Sequence, residues 1–297
     1  MRDRRPAQTA RADVVTVVTP ALDASRFIGE TLRSVRTQTY ADVEHIVVDG
    51  GSTDGTQALV REAGAARLLD APGARQADAI NRGVEAARGS VVVVLNADDV
   101  LYPDALRDLA GALDDDPGAG VVYGEALHID EHGAPISPYP TRPFEPGSLA
   151  ESCYICQPAA AVRREVFLAV GGMDQRLDFA LDYDFWIRLS RVTRFRKIDA
   201  VVAASRMHHG AKTLARRDRV YREVIATLRA HFGYVPYTWA FAYADWLIER
   251  TDQFYTPPRR PRLAVLFSLA VGLRLNPRHP LRYLRDWYEH RALGHRR

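Results

Sequence analysis

The chain has 297 residues, 47% of them hydrophobic, which is enough for one large domain or two small ones with a sizeable core. The net charge of +3 is uneven, because residues 257–297 carry ten arginines against Asp286 and Glu289, a charge of +8 that leaves −5 on the preceding 256 residues. A mildly acidic body with a basic tail argues against nucleic acid as a partner, and favours a catalytic body whose tail touches an anionic surface or packs locally.

Targeting and redox signals are sparse. Residues 1–12 are a polar N-terminal tail, and we expect no signal peptide because no apolar core follows the first residues. The longest apolar stretch, residues 263–275, is too short to span a bilayer. Cys153 and Cys156 lack the second pair of ligands that a zinc site needs, so reduced thiols in a cytoplasmic protein are favoured over a metal or redox role.

Strands and helices alternate through the first part of the chain. β-branched runs predict strands at 13–19, 43–49, 91–95 and 120–123, and a further short strand is predicted at 67–70. Helical spacing of apolar residues predicts helices at 25–38, from about 54, at 75–88 and at 103–113. This alternation implies right-handed crossovers and a mostly parallel sheet.

The pattern changes after residue 124. Residues 125–150 are rich in Pro and Gly and are predicted to form a loop or hairpin. The later predictions are a strand at 159–162, short helices at 163–170 and 182–191, edge strands within 197–207, and helices from 214 onward with breaks at Gly233, Pro236, Pro257-Pro258 and Pro277.

Two adjacent carboxylates stand at the end of a predicted buried strand. Asn96-Ala97-Asp98-Asp99 directly follows the apolar run 91–95. Open α/β sheets place their ligands at the carboxyl ends of strands. Paired oxygen ligands suit Mg²⁺ or Mn²⁺, which one or two carboxylates hold together with substrate phosphates. The alternative is an N-cap for the helix that Tyr102-Pro103-Asp104 begins.

A glycine-rich loop follows the second predicted strand. Asp49 ends that strand, and Gly50-Gly51-Ser52-Thr53-Asp54-Gly55-Thr56 comes next. Glycines allow close approach of the backbone to a bound group, although an ordinary turn capped by Thr53 or Asp54 is the alternative. The sequence contains no G-x-G-x-x-G after either strand and no G-x-x-x-x-G-K-[ST], which argues against a dinucleotide dehydrogenase or a P-loop enzyme.

Several segments together resemble the signature of inverting family 2 glycosyltransferases of the GT-A fold. In chain order they are VVDGGSTDGT at 47–56, QADAINRG at 76–83, LNADD at 95–99, QPA at 157–159, GGMD at 171–174, LDYDFWIRL at 181–189 and RMH at 206–208. The resemblance covers about residues 13–213. It implies an α/β fold with a Rossmann-like, mostly parallel sheet flanked by helices. Its nucleotide-sugar-binding half is at 13–124, its acceptor-binding half at 125–213, and a helical C-terminal extension follows at 214–297.

The resemblance implies a nucleotide-sugar site built mainly by the first half. The resemblance implies that Asp49 hydrogen-bonds the base, and that the helix with Asp78 and Asn81 lies near the ribose and diphosphate. Many members carry an acid where this chain has Gly50, and many carry Asp where it has Asn96. The matching positions are Thr19, Pro20, Asp49, Asp78, Asn81, Asn96 and Asp98.

A divalent metal, Mn²⁺ or Mg²⁺, is also implied. Asp99 and Asp98 match the family's acidic motif and are expected to be the metal-binding residues, because the amide of Asn96 is a weaker ligand. His208 resembles a histidine that reaches the metal or the diphosphate in some members, and His209 beside it is the alternative.

Asp182 aligns with the acid that the family uses as general base. Inversion at an anomeric carbon needs a base on the acceptor side and charge neutralisation on the leaving side. A helix N-terminus favours an ionised carboxylate, so the position suits a base. Asp184 is a rival, a plain helix cap is the structural alternative, and Trp186 is expected in the core.

The implied function is metal-dependent, inverting transfer of a sugar from a nucleotide-diphosphate-sugar donor to a hydroxyl of a glycan or lipid-linked glycan. A sugar nucleotidyltransferase is one alternative, but it would need a Gly-rich loop ending in Arg or Lys where Thr19-Pro20-Ala21-Leu22-Asp23 stands. A nucleotide-sugar-binding protein without turnover is the other.

Residues 257–297 combine basic flanks, an apolar segment and the aromatic residues Trp287 and Tyr288. That combination is typical of a helix lying in a membrane surface. Packing on the catalytic body or on a second subunit of a homodimer explains it equally well. A membrane contact would place the cytoplasmic protein at the inner face of the cell membrane.

Overall fold

A computed structural model describes residues 14–64, 66–250 and 261–293. The chain divides into two units: unit 1 comprises residues 1–144 and 154–208, and unit 2 comprises residues 145–153 and 209–297. The predicted N-terminal tail at 1–12 and the predicted break at Pro257-Pro258 lie outside the described residues.

Unit 1 alternates strands and helices from Val15 to Asp115 and then becomes richer in strands. Its strands are β1 (Val15–Ala21), β2 (Val43–Asp49), β3 (Arg67–Asp70), β4 (Val91–Val94), β5 (Val100–Leu101), β6 (Ala119–Ile129), β7 (Pro135–Pro138), β8 (Ala160–Arg163) and β9 (Arg194–Arg206). Its helices are α1 (Ile28–Arg36), α2 (Thr56–Ala63), α3 (Gln76–Glu85), α4 (Ala105–Asp115), α5 (Arg164–Ala169) and α6 (Leu181–Leu189), with a short 3₁₀ turn at Gln157–Ala159.

The strands form one sheet in the order β3-β2-β1-β4-β8-β6-β9-β5, with β7 paired to β6. The first four strands are parallel, and Val15 of β1 lies opposite Val43 of β2 and Val91 of β4. The α/β fold class is therefore confirmed. The sheet is mixed beyond β4, because β8 runs antiparallel to both β4 and β6. An antiparallel neighbour needs no crossover helix, so the alternation of helices and strands did not predict this half.

Both faces of the parallel strands are covered. Val17 of β1 belongs to a core cluster that includes Leu106 and Leu109 of α4. The next residue, Val18, faces α3, where a Cβ on Gly83 would lie 2.3 Å from it. Successive side chains of a strand point to opposite faces, so these contacts mark two separate layers. Such burial on both faces explains the continuous valine run of β4.

The region 119–206 differs most from its prediction. The strand expected at 120–123 extends to Ile129 as β6, and residues 125–150 supply the β6–β7 hairpin. The predicted edge strands within 197–207 are a single strand, β9, which pairs in parallel with β6 and is bordered by β5. The edge prediction was wrong only at Ala203 and Ala204, which pair with β5; before them β9 pairs with β6 alone among the described strands, and most of its residues before Val202 are only partly buried.

Unit 2 is helical, as predicted. Its helices are α7 (Lys212–Ala215), α8 (Arg217–Phe232), α9 (Tyr237–Glu249), α10 (Pro261–Leu275) and α11 (Pro280–Leu293), with a 3₁₀ turn at Ser148–Ala150. Gly233 ends α8 with a φ of +66°. A Cβ on Gly272 would lie 1.8 Å from the Tyr283 ring, so α10 and α11 touch closely there. Among the described residues, no helix has the length and apolarity needed to cross a membrane.

Candidate functional site

Four strands deliver polar loops to the same edge of the sheet in unit 1. β1, β2 and β4 are parallel, and β9 is parallel to β6, which is related to β4 through the antiparallel strand β8. Two reversals restore the original direction, so β9 runs parallel to β4. The carboxyl ends of these strands therefore meet at one edge, where open α/β sheets bind ligands.

Asp98 and His208 form a pair at this edge. His208 Nε2 lies 3.1 Å from Asp98 Oδ2, and the two side chains are 13% and 32% exposed. The ring of Phe27 packs against the imidazole with centroids 4.7 Å apart. His209, the alternative in the sequence, is exposed. The structure thus brings the partly accessible Asp98 together with His208.

Asp99 is placed more deeply than Asp98. It is 3% exposed, and its carboxylate accepts hydrogen bonds from the Arg206 backbone N–H (2.9 Å) and the Asn96 side-chain amide (3.0 Å). Burial and the neighbouring charge of Asp98 raise the pKa of Asp99 to about 7. The two carboxylates that the sequence treats alike therefore occupy different environments.

The buried side chain of Arg206 connects several parts of the site through hydrogen bonds, a role that the sequence analysis did not assign to it. Its side chain is 1% exposed and donates through Nε to the Asp98 carbonyl (2.9 Å) and through a terminal nitrogen to the Glu30 carboxylate (2.6 Å). Its guanidinium also lies 4.9 Å from the centroid of the Phe27 ring. The available signal was a basic residue directly after the apolar run 200–204 and Ser205, at the end of a predicted strand.

A hydrogen-bonded chain links α3 to the acidic pair. Gln76 Nε2 donates to Asn96 Oδ1 (3.0 Å), and Asn96 Nδ2 donates to Asp99 Oδ2 (3.0 Å). Asn96 is thus oriented from both ends, and its amide holds Asp99. Gln76 was not singled out from the sequence, because a single polar residue in the first turn of a helix carries no distinctive pattern.

Asp49 holds the glycine-rich loop in shape. It is fully buried and accepts hydrogen bonds from the backbone N–H groups of Gly51 and Ser52, the Ser52 hydroxyl and the Gln57 side chain. Burial opposes ionisation, but the hydrogen bonds from Ser52 and Gln57 keep the pKa of Asp49 below its usual value. Next to it, a Cβ on Gly50 would lie 2.9 Å from the Ala74 carbonyl oxygen, so this position is sterically restricted to glycine.

The end of β1 is also buried. The Thr19 hydroxyl is hydrogen-bonded to Nε2 of His45 at 2.9 Å, and Pro20 is buried beside it. Both residues therefore lie at the carboxyl edge of the sheet, and the Thr19 hydroxyl already has a hydrogen-bond partner within the sheet.

Asp78 and Asn81 face the segment 171–175. Asn81 donates to the Met173 carbonyl and accepts from the Met173 N–H, both at 2.8 Å. Gly172, next to Met173, has a φ of +69°, and a Cβ there would lie 2.5 Å from Asn81 Oδ1. Asp78 pairs with Arg82 at 3.0 Å. An open cavity of about 400 Å³ lies next to the Asn81–Met173 hydrogen bonds and is lined by Asn81, Val170–Gln175 and Arg188.

Asp182 and Asp184 have different surroundings at the start of α6. Asp184 forms an ion pair with Arg188 at 2.7 Å, and Arg188 is held in turn by the Val170 carbonyl. Asp182 is partly exposed and accepts the N–H of Tyr183 (2.8 Å). Burial raises the pKa of Asp182 to about 6, so the carboxylate is less acidic than a helix N-terminus alone would make it. The indole of Trp186 lies in the core, as predicted.

The buried thiol of Cys156 connects the two acidic regions. Burial, together with the nearby charges of Asp99 and Asp182, raises the pKa of this thiol well above its ordinary value. Asp99 and Asp182, which are 83 positions apart in the chain, thus both act electrostatically on one side chain. The same effect keeps Cys156 protonated, which removes the reactivity of a thiolate.

The arrangement fits a divalent metal that is shared with a substrate. Within residues 14–64, 66–250 and 261–293, no group of three or more His, Cys, Asp or Glu side chains could hold a metal. Adjacent ligands of an octahedral ion lie roughly 3 Å apart, and the Asp98–His208 separation of 3.1 Å matches that spacing. Asp98 and His208 would therefore supply two ligands to such an ion, with phosphate oxygens and water as the others.

A Rossmann-like sheet with an acidic pair after β4 and a perturbed carboxylate at α6 defines a GT-A-type fold. The family model for glycosyl transferase family 2 matches residues 16–170. The chain belongs to this family.

Two curated relatives indicate where the similarity lies. The chain is 35% identical over 194 residues to the O-antigen biosynthesis protein RfbC of Myxococcus xanthus, covering 63% of this chain and 15% of that protein. It is 30% identical over 201 residues to a PGL/p-HBAD biosynthesis glycosyltransferase of Mycobacterium bovis, covering 63% of this chain and 75% of that protein. The chain therefore spans only a small part of RfbC and most of the mycobacterial protein.

Solved structures support the fold. TarS 1–349 of S. aureus in complex with UDP-GlcNAc superimposes with a TM-score of 0.62 at 16% identity, covering 88% of this chain and 82% of that one. The mannosyltransferase PcManGT of Pyrobaculum calidifontis, in complex with GDP-Man and Mn²⁺, gives 0.57 at 21% identity, covering 92% and 76%. At these identities the likeness establishes the fold alone.

Proposed function

We propose that the chain is an inverting, divalent-metal-dependent glycosyltransferase that uses a nucleotide-diphosphate-sugar donor. The observation that carries the proposal is the Asp98–His208 pair, 3.1 Å apart at the carboxyl edge of the sheet, in a chain whose α6 begins with the partly exposed carboxylate of Asp182. Inverting transfer needs negative charge to be neutralised on the leaving side and a base on the other, and these two regions meet that requirement.

We assign the donor to the edge formed by the ends of β1, β2 and β4. The relatives in solved structures are complexes of UDP-GlcNAc and GDP-Man, which supports a nucleotide sugar. Thr19, Pro20 and Asp49 would shape the nucleoside pocket, since their side chains are buried or engaged by the protein. Asp78 and Asn81 would fix the wall on the other side through the segment 171–175.

We assign the metal ligands to Asp98 and His208. Mn²⁺ is present in the complex of PcManGT; a carboxylate suits Mn²⁺ or Mg²⁺, and the imidazole nitrogen favours the transition metal Mn²⁺ over Mg²⁺. When bound, the metal would neutralise charge on the departing diphosphate. Asp99 then becomes a positioning residue, because its oxygens accept hydrogen bonds from Arg206 and Asn96. This assignment differs from the sequence expectation, which treats Asp99 as a direct ligand.

We assign the general base to Asp182. A pKa of about 6 leaves its carboxylate ionised at neutral pH yet basic enough to take a proton from an acceptor hydroxyl as the glycosidic bond forms. Asp184 is the weaker candidate, since its carboxylate is held by Arg188.

The acceptor we propose is a hydroxyl of a glycan or of a lipid-linked glycan, reached in the cytoplasm. RfbC is named for O-antigen biosynthesis and the mycobacterial relative for PGL/p-HBAD biosynthesis, which favours this class of acceptor. A sugar nucleotidyltransferase is disfavoured by the absence of a basic Gly-rich loop after β1. A binding protein without turnover is disfavoured by the retained Asp182.

The test is a thermal-shift panel of UDP, GDP and their sugar conjugates with and without Mn²⁺, followed by hydrolysis or transfer assays with the donor that stabilises. Proton NMR of the product then reads the anomeric configuration. We expect stabilisation by one nucleotide that requires Mn²⁺, and a product of inverted configuration. Retention of configuration, or equal stabilisation without metal, would refute the proposal.

A further inference from the structure

Helix α10 exposes apolar side chains on the side opposite its packed face. Its packed face contacts α11, where Trp287 Nε1 donates to the Val265 carbonyl at 3.0 Å. On the other side Leu263, Leu266 and Phe267 are 46%, 61% and 39% exposed. Their spacing of three and four residues places them in one stripe. A helix that is apolar on all sides is usually covered on all sides.

Helix α11 carries a second apolar stripe. Leu281 and Tyr288 are 79% and 69% exposed, and Leu284 between them is 40% exposed. The spacing of three and seven residues again gives a single side of the helix. Large exposed residues thus concentrate on both C-terminal helices, and clusters of this kind mark interaction surfaces.

The charges around these stripes are positive. Arg262, Arg274 and Arg278 are exposed, and no ion pair among the described residues engages them. The two acidic residues of the segment are already used. Asp286 accepts hydrogen bonds from the Tyr234 hydroxyl and the Tyr237 N–H, both at 2.8 Å, while Glu289 pairs with Arg285 at 2.8 Å.

We infer that the exposed stripes of α10 and α11 form a docking surface for an anionic phospholipid bilayer. The apolar residues would enter the boundary between head groups and acyl chains, while the arginine side chains reach the lipid phosphates. A second copy of the chain is disfavoured, because two identical basic surfaces would repel each other. The inference goes beyond the proposed glycosyl transfer, and its test does not depend on catalysis.

The test is co-sedimentation of the full chain with vesicles of phosphatidylcholine alone or mixed with phosphatidylglycerol, at low and high salt. Two triple variants address the surface: L263S/L266S/F267S removes apolar contacts, and R262Q/R274Q/R278Q removes charge. Two matched controls carry the same exchanges at exposed positions of other elements, L168S/V192S/V201S and R33Q/R36Q/R219Q. Melting temperatures show that each variant is folded. L266D, a single substitution at an exposed position, repeats the test made with the triple serine variant.

We expect binding to phosphatidylglycerol vesicles that weakens with salt. The arginine variant should lose on the order of a hundredfold in partitioning, since each arginine near an anionic surface contributes roughly fivefold. The serine variant should lose roughly tenfold or more, and both controls should bind like the original chain. Equal binding by all variants would overturn the inference. So would a concentration-dependent dimer in sedimentation velocity that the serine variant abolishes, because the surface would then belong to a second copy.

Discussion

His208 Nε2 and Asp98 Oδ2 lie 3.1 Å apart, although 110 positions separate the two residues in the chain. The two residues meet because β9 ends at the same edge of the sheet as β4, and because Arg206 makes hydrogen bonds to the segment that contains Asp98. Its backbone N–H binds Asp99, and its guanidinium binds the Asp98 carbonyl. The geometry of this pair therefore depends on the buried guanidinium of Arg206, two residues before His208.

Substitution of the acidic pair should separate a ligand from a positioning residue. We expect Asp98→Asn to abolish Mn²⁺-dependent nucleotide binding, because it removes one of the two proposed protein ligands. Asp99→Asn should weaken it by about 10–100-fold, the usual effect of disturbing a group that orients a ligand. Isothermal titration calorimetry of the nucleotide selected by the thermal-shift panel measures both. The reverse order of effects would return the ligand role to Asp99.

Substitutions at the start of α6 should identify the base. Asp182→Asn should leave donor affinity unchanged and lower kcat by about 10²–10⁴-fold, the range for a general base. Asp184→Asn should instead cost about 1–3 kcal/mol of unfolding free energy, because the Arg188 guanidinium loses its partner. Steady-state kinetics and denaturant unfolding on the same preparations distinguish the two. Full activity of Asp182→Asn would move the base elsewhere.

The same carboxylate should give the enzyme a defined pH dependence. Because the base must be ionised, kcat should rise with pH up to about 6 and then level off, following the pKa of Asp182. The rise should be missing from the residual activity of Asp182→Asn. A pH profile measured at saturating donor and metal checks this. A flat profile between pH 5 and 7 would contradict the assignment.

Asp182 should also lower stability at neutral pH. Its pKa is raised on folding from an ordinary value of 3.8 to about 6, so the unfolded chain ionises first and the folded state loses stability as pH rises from about 4 to 6. The full pKa shift would correspond to a larger free energy, which we discount because the side chain is partly exposed to solvent. We therefore expect the free energy of unfolding of Asp182→Asn at pH 7 to exceed that of the original chain by about 1–2 kcal/mol. The gain should vanish near pH 4. Urea unfolding at the two pH values tests the sign.

Arg206 should matter for both stability and metal binding. Arg206→Gln removes the donor to the Asp98 carbonyl and the partner of the exposed Glu30 carboxylate, so we expect a loss of about 1–3 kcal/mol and weaker Mn²⁺-dependent binding. The control is Arg26→Gln, whose ion pair with Glu131 is exposed and should cost less than about 1 kcal/mol. Equal losses in the two variants would show that Arg206 has no special role.

Much of the parallel half could be predicted from sequence. The β-branched runs placed β2 at its observed limits, and the acidic pair was expected at the end of β4 because that run is buried on both faces. His208 could be linked to the pair only through family resemblance, since no local pattern connects residues on strands so far apart. The different environments of Asp98 and Asp99 depend on hydrogen bonds from Arg206 and Asn96, which a sequence does not display.

The reversed strand β8 has a mechanical consequence. It is hydrogen-bonded to β4 along one side and to β6 along the other, so continuous backbone pairing joins the parallel strands to the β6–β9 part of unit 1. A hinge motion between these two parts would have to break that pairing, which makes the sheet of unit 1 a rigid support for the loops at its edge.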